Sequence, residues 1–164
     1  MKKILYMMCG APASGKTYFA KHTLIKDNSW AYISRDEVRF SIISDNDEYF
    51  SKEKQVFRAF TNEINKNLQD DNITYVIADA THLNWASRLK LMKAITEPVD
   101  IIPVVIKTDY KTVCEQNNKR TGRTHLPEDA LRNMFKRFTD PCDDLYHYPA
   151  IMYVDREKKI EPTK

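Results

Sequence analysis

Short apolar runs alternate with amphipathic stretches along the whole chain. Ile4 to Met8 is a continuous apolar run of strand length, and the loop that opens at Gly10 leads into a helical stretch from about Gly15 to Lys26, with Phe19 and Leu24 available to a core. Trp30 to Ile33 reads as a second strand. Ser34 is placed to cap a helix running through Ile43, whose first turn carries Asp36 and Glu37 where the helix dipole favours acids. From Ser51 to Leu68 the apolar residues Val56, Phe57, Phe60, Ile64 and Leu68 recur at helical spacing, so their aromatics are expected in the core. Ile73 to Ala78 is a β-branched run ending at Asp79. A helix around Trp85 to Ile95 and a strand from Val99 to Ile106 follow. Thr112 to Lys119 reads as helix and Thr121 to Leu126 as a polar loop. Pro127 stands in the first turn of a helix carrying Leu131, Met134, Phe135 and Phe138, and a last strand covers Ala150 to Val154.

Five apolar strands separated by helices predict an α/β, three-layer fold, a five-stranded parallel sheet with helices on both faces, and the Gly10–Thr17 stretch, with its Walker A spacing, makes it a P-loop NTPase fold. In such a sheet ligands belong at the carboxyl ends of the strands. The 164 residues fit one domain over 1–164, with residues 157–164 expected as a loosely held tail. Charge adds little: 26 Lys and Arg against 23 Asp and Glu leave +3, compatible with an anionic partner without requiring one. Cys9, Cys114 and Cys142 are odd in number and widely spaced, unlike a zinc site or a disulfide scaffold, which points to reduced thiols in a cytoplasm. The first apolar run is far too short to span a membrane, and no membrane partner is expected.

The chemistry begins at Gly10-Ala11-Pro12-Ala13-Ser14-Gly15-Lys16-Thr17, which has Walker A spacing between a predicted strand and a predicted helix. Of the three glycines in the chain, two fill the positions that motif requires. Backbone N–H groups of such a loop wrap phosphates, Lys16 reaches the β- and γ-phosphates of ATP, and the Thr17 hydroxyl offers a ligand to Mg²⁺. Asp79, at the end of an apolar strand, stands where a second acid would hold a Mg²⁺-bound water.

Asp36 and Arg39, three residues apart on one helix, share a face. An Asp can take the proton of an attacking hydroxyl, and an Arg offers a planar fork to a substrate phosphate. An exposed i, i+3 ion pair has the same spacing; the phosphate loop upstream is what gives this pair a cleft to face. Thr81, His82 and Asn84 lie at the edge of that cleft and Arg88 on the next helix, all candidates for substrate contact, although His82 taken alone reads as structural. Lys119, Arg120, Arg123 and His125 make residues 119–126 a basic loop, either a lid that brings cations to the transferring phosphoryl group or a solvated charge run.

The ordered motifs GAPASGKT, SRDEVRF, VIADATHLN and NNKRTGRTHLP resemble those of the kinase domain of the T-even phage polynucleotide 5′-kinase and its bacterial relatives, from Met1 to about Phe138. The resemblance implies an adenylate-kinase-like arrangement in which Lys16 and Thr17 serve ATP and Mg²⁺ and Asp36 is the general base toward a nucleic-acid 5′-hydroxyl. It also implies that Arg39 grips the 3′-phosphate of the terminal nucleotide and that Arg120 stabilises the transferring phosphoryl group, with Arg123 in reserve because the lid is one residue longer here. Two departures stand out. Ala80 precedes Thr81 where the phage enzyme has an acid, so the acid, Asp79, comes one residue earlier, a step that reverses faces in a strand; and Gln116 stands where that enzyme has a further lid arginine. No paired-aspartate phosphatase motif follows Phe138, so end-healing of nucleic acids would here be limited to the kinase step.

The acceptor expected on these grounds is a DNA or RNA 5′-hydroxyl end. A kinase of a small hydroxyl compound (a nucleoside, sugar or antibiotic) on the same scaffold is the nearest alternative, and a slow ATP-hydrolysing regulatory module the next. The Asp36–Arg39 pair weighs against the last, since a switch has no need of an acceptor-facing base.

Overall fold

The computed structural model describes residues 2–156, so the tail expected at 157–164 lies outside the described residues. Strand β1 (Lys3–Cys9) leads through the Gly10 loop into α1 (Lys16–Phe19), which continues as a π-helical segment, Ala20–Leu24. Then come β2 (Trp30–Ser34), α2 (Arg35–Ile42), α3 (Glu53–Gln69), β3 (Tyr75–Asp79), α4 (Trp85–Ala94) and β4 (Val99–Lys107). Helices α5 (Tyr110–Asn118) and α6 (Glu128–Lys136) flank a 3₁₀ turn at Gly122–Thr124, and β5 (Met152–Asp155) closes the sheet. The strands lie in the order β2-β3-β1-β4-β5, all parallel. The expected α/β fold is therefore the observed one.

Side-chain alternation along β1 explains why this strand is central. Leu5, Met7 and Cys9 enter a core with Phe60, Ile64, Leu68 and Leu91 from α3 and α4, whereas Met8 and Tyr6 enter a second core with Phe19, Ala20 and Leu24. A strand buried on both faces needs no polar alternation, which is why it reads as one apolar run. A third cluster, Val113, Leu126 and Leu131 with Ala13, ties α5 and α6 to the Gly10 loop.

Local capping follows the sequence. The Ser34 hydroxyl accepts from the Glu37 N–H at 3.3 Å, and Asn84 forms a reciprocal capping box with Ser87 at the start of α4. Phe57 departs from the expected core role: it is only half-buried, with Lys90 Nζ 4.2 Å and the Arg35 guanidinium 5.6 Å from its ring centre. The helix after the Gly10 loop also departs, since its second half widens into the π-helical segment. The three cysteines are free thiols, and among the described residues no helix is long and apolar enough to cross a membrane.

The chain leaves β1 for β2 on one side of the sheet and crosses after β3 to β4 on the other flank of β1. The crevice at the carboxyl end of β1 is thus where a ligand fits, and it is where the Gly10 loop lies.

Candidate active site

The loop from Gly10 to Thr17 is fixed from several directions. Gly10 N–H donates to the Thr81 carbonyl at 2.9 Å, and the Ser14 carbonyl accepts from the Thr108 hydroxyl at 2.8 Å and from Arg156 Nη1 at 3.0 Å. Two residues take left-handed backbone, Ala13 at φ 61° and Gly15 at φ 97°. At Gly15 the left-handed backbone is what disfavours a side chain; a Cβ there would also have to displace the Arg156 guanidinium, 1.6 Å away. The result is a strained, preformed cradle. Inside it Lys16 is buried, its Nζ donating to the Ala11 carbonyl at 2.7 Å. Burial pushes the Lys16 ammonium down to about 8, with Asp79 opposing the shift and Arg120 adding to it. The Ser14 hydroxyl is also buried and has no hydrogen-bond partner among the described residues. An unpaired hydroxyl and a destabilised ammonium in one cradle are what a bound phosphate would satisfy.

Thr17 and Asp79 meet at the next position. The Thr17 hydroxyl donates to Asp79 Oδ2 at 2.7 Å, and the Tyr32 hydroxyl donates to the same oxygen. The one-residue displacement of the acid noted in the sequence therefore does not turn it away: β3 alternates, and Asp79 falls on the side of Ile77, toward Thr17 and the second core. Tyr32 holds this carboxylate from β2, where Ser34 pairs with Asp79 in register. Burial and the adjacent Asp79 charge raise the Tyr32 phenol well above its ordinary range, so it remains a donor. Among the described residues no three His, Cys, Asp or Glu side chains are grouped to hold a metal on protein ligands alone. A hydroxyl and one carboxylate are hard oxygen donors, a set that fits Mg²⁺ completed by water and phosphate oxygens.

Across the crevice, α2 presents Asp36 and Arg39. The Arg39 side chain is 5% exposed; Nε and Nη2 donate to Glu53 at 2.9 and 3.2 Å, and Nη1 donates to Asp36 Oδ1 and, at 2.8 Å, to the Tyr49 hydroxyl. Tyr49 O–H in turn donates to Asp36 Oδ1. The guanidinium holds the Glu53 carboxyl below its usual range against the opposing effect of burial. Arg35 Nη2 also donates to Glu53, at 2.8 Å, while its buried Nε has no partner among the described residues. Lys16, Thr17, Asp36, Arg39, Asp79 and Arg120 line one cavity of about 180 Å³. A second, of about 380 Å³, shares Lys16, Thr17 and Arg120 and extends over Tyr18, Lys21 and Gln116. The two cavities meet at the phosphate loop.

Other expected site residues fall in different places. Thr81 lines the first cavity. His82 and Arg88, expected at the cleft edge, are instead buried outside its lining. His82 sits at φ 40° with Nδ1–H donating to the Met8 carbonyl at 2.6 Å, the only role open to it opposite a carbonyl; burial pushes the ring down to about 4, so it is neutral. Arg88 is fully buried and bidentate to Asp144 at 2.7 and 2.8 Å, with further bonds to the His82 carbonyl and the Thr139 hydroxyl. Arg88→Met therefore leaves Asp144 buried without its cation and is expected to cost about 3–5 kcal/mol of stability. Urea unfolding measures that loss, and the folded variant should bind nucleotide as the parent does. Arg123 also lies outside both cavity linings: Nη1 donates to the Ser44 carbonyl at 2.9 Å, and its guanidinium covers the Phe40 ring at 5.3 Å. It fastens the loop at 119–126 to the loop after α2. Asn117 closes the base of this loop, exchanging hydrogen bonds of 2.9 and 3.0 Å with Leu126. Arg120 is the arginine of this loop that lines both cavities.

Tyr32, Tyr49, Glu53 and Arg156 carry much of this geometry and were not marked by the sequence. Tyr32 precedes Ser34 by two residues and so shares its strand face, the one signal available. The other three act through tertiary packing.

Residues 5–141 match the model of the AAA_33 family, an AAA domain. The chain belongs to this family. Among solved structures, a chain of the Pnkp1/Rnl/Hen1 RNA repair complex is similar with a TM-score of 0.69 and 26% identity, covering 83% of this chain and 44% of that one. This AAA_33 chain thus spans less than half the length of that relative. A fungal RNA kinase has a TM-score of 0.62 and 14% identity, covering 100% of this chain and 79% of its own. A sugar kinase from Janibacter sp. HTCC2649 has 0.63 and 15%, covering 97% and 88%. At those identities the last two share the fold alone. The AAA_33 chain is a P-loop, kinase-like domain, and this scaffold serves more than one class of acceptor.

Proposed function

We propose that this domain transfers the γ-phosphate of ATP to the 5′-hydroxyl end of a nucleic acid. The observation that carries the proposal is the single cavity in which the buried Lys16, with Thr17 and Asp79, shares walls with Asp36 and Arg120. The 26% identity to a chain of an RNA repair complex supports the choice of acceptor.

Triphosphate oxygens take the backbone N–H groups of the Gly10–Thr17 loop, the Ser14 hydroxyl and Lys16. Thr17 and Asp79 would hold Mg²⁺, which would supply charge neutralisation to the triphosphate. Tyr49 and Arg39 both bond Asp36 through Oδ1, which leaves Oδ2 to receive the proton of the acceptor hydroxyl. The hydroxyl oxygen attacks the γ-phosphorus in line, the bond to the bridging oxygen breaks, and ADP leaves. Lys16 and Arg120 stabilise the charge on the transferring group. Arg39 acts first as the residue that positions Asp36 and Glu53, and an acceptor phosphate must share its fork with them. Arg35, with an unpaired Nε on the same wall, adds a second cation.

Incubation with γ-labelled ATP and, separately, 5′-hydroxyl DNA or RNA, a panel of small hydroxyl compounds, or no acceptor tests this directly. Label is expected at the oligonucleotide 5′ end. Label confined to a small compound would make the domain a small-molecule kinase, and inorganic phosphate alone would make it a hydrolase.

A further inference from the structure

Two aromatic rings stand at the acceptor side of the cavity, and phosphate transfer has no use for one of them. Tyr49 is accounted for by its hydroxyl on Asp36 and its ring face against the Arg39 guanidinium, 4.2 Å away. Phe50 is not. It is 53% exposed, yet it lines the cavity that contains Lys16 and Asp36. The other large apolar residues left exposed, Tyr18, Leu145, Tyr146 and Tyr153, lie outside that lining. Among the described residues no lining side chain other than Tyr49 and Phe50 is aromatic.

The pair is held in place from behind. Phe50 meets Tyr49 edge-on at 4.6 Å between ring centres, and Tyr49 meets Phe40 edge-on at 6.0 Å. Phe40 lies under Arg123, whose Nη1 donates to the Ser44 carbonyl and so fixes the loop that carries both rings. A preformed aromatic face beside a charged wall (Arg35, Arg39 and Glu53) suits a ligand that is anionic at one end and flat at the other.

We infer that Phe50, backed by Tyr49, is the stacking platform for the nucleobase of the acceptor's terminal nucleotide. This rests on the polynucleotide acceptor proposed above. With the 5′-oxygen at Asp36, the base hangs one sugar away, and the Tyr49–Phe50 pair is the next group along the chain of contacts from that carboxylate. Stacking on an aromatic face tolerates every base, so the platform favours a nucleotide over a bare sugar without choosing a sequence. It would recognise DNA and RNA ends alike.

The test compares two 5′-hydroxyl oligonucleotides that differ only in whether the first residue carries a base or is abasic. Parent, Phe50→Ala and Phe50→Trp proteins are assayed for kcat and KM, with melting midpoints to verify folding. The parent should prefer the base-bearing end by about tenfold in kcat/KM, mostly through KM. Phe50→Ala should bring that ratio to about one, and Phe50→Trp should keep it. A parent ratio of one, or an unchanged ratio in Phe50→Ala, overturns the platform while leaving the polynucleotide acceptor intact. If neither oligonucleotide takes label, the acceptor class is wrong and the platform falls with it.

Discussion

Lys16→Ala is expected to lower phosphate transfer by about a hundred- to a thousandfold. The side chain is buried in the loop, where its ammonium already carries a desolvation penalty that brings it down to about 8. A triphosphate relieves that penalty and is held by the same charge, so nucleotide binding and the stabilisation of the transferring group are weakened together. A pH effect follows with a definite sign. The bound state needs Lys16 protonated, and the free protein loses that proton near pH 8, so nucleotide affinity should be level below pH 8 and fall about tenfold per unit well above it. Calorimetric titration of ATP between pH 7 and 9.5 measures this; an affinity that rises above pH 8 would contradict it. Lys16→Ala, with no ammonium to lose, should show no such fall.

Asp36→Ala separates chemistry from nucleotide binding. Its carboxylate stands on α2, on the acceptor wall, and is half-exposed. Losing a general base in this position should lower kcat by about 10²–10⁴-fold while ATP affinity stays close to the parent's. Because Asp36 also receives Tyr49 and Arg39 at Oδ1, some of the loss could come from releasing those partners. Tyr49→Phe distinguishes the two causes. It removes one bond to Asp36 and keeps the carboxylate, so its kcat should fall far less. Equal losses in the two variants would assign the effect to wall geometry rather than to proton transfer.

The features legible in the sequence are those set by local chemistry. The phosphate loop could be read because Gly15 must take a left-handed backbone and Lys16 and Thr17 must follow it directly. Asp36 and Arg39 could be paired because three residues on a helix share a face. Arg39's stronger partner, Glu53, opens a different helix and meets it only because α2 packs on α3. Arg88 reads as a substrate group because it lies on the helix just after the cleft-edge residues, and its counter-ion, Asp144, is 56 residues away, beyond any local signal. Arg123 stands in reserve to Arg120 in the sequence because the two share one basic loop, and only the fold shows Arg120 at the cavities and Arg123 at Ser44. The displaced acid at Asp79 needed the register of β3 against β2 before its direction was known.

In the proposed reaction donor and acceptor meet across one cavity between the phosphate loop and α2. A covalently joined ligand, ATP linked through its γ-phosphate to the 5′-oxygen of a nucleoside 3′-phosphate, tests this most directly by calorimetric titration. It should bind at least about tenfold more tightly than ATP, because joining two ligands that occupy neighbouring sites makes the second contact intramolecular. Binding no tighter than ATP would mean that a nucleoside cannot reach Asp36 from a triphosphate seated on Lys16, and the proposed transfer would have no path.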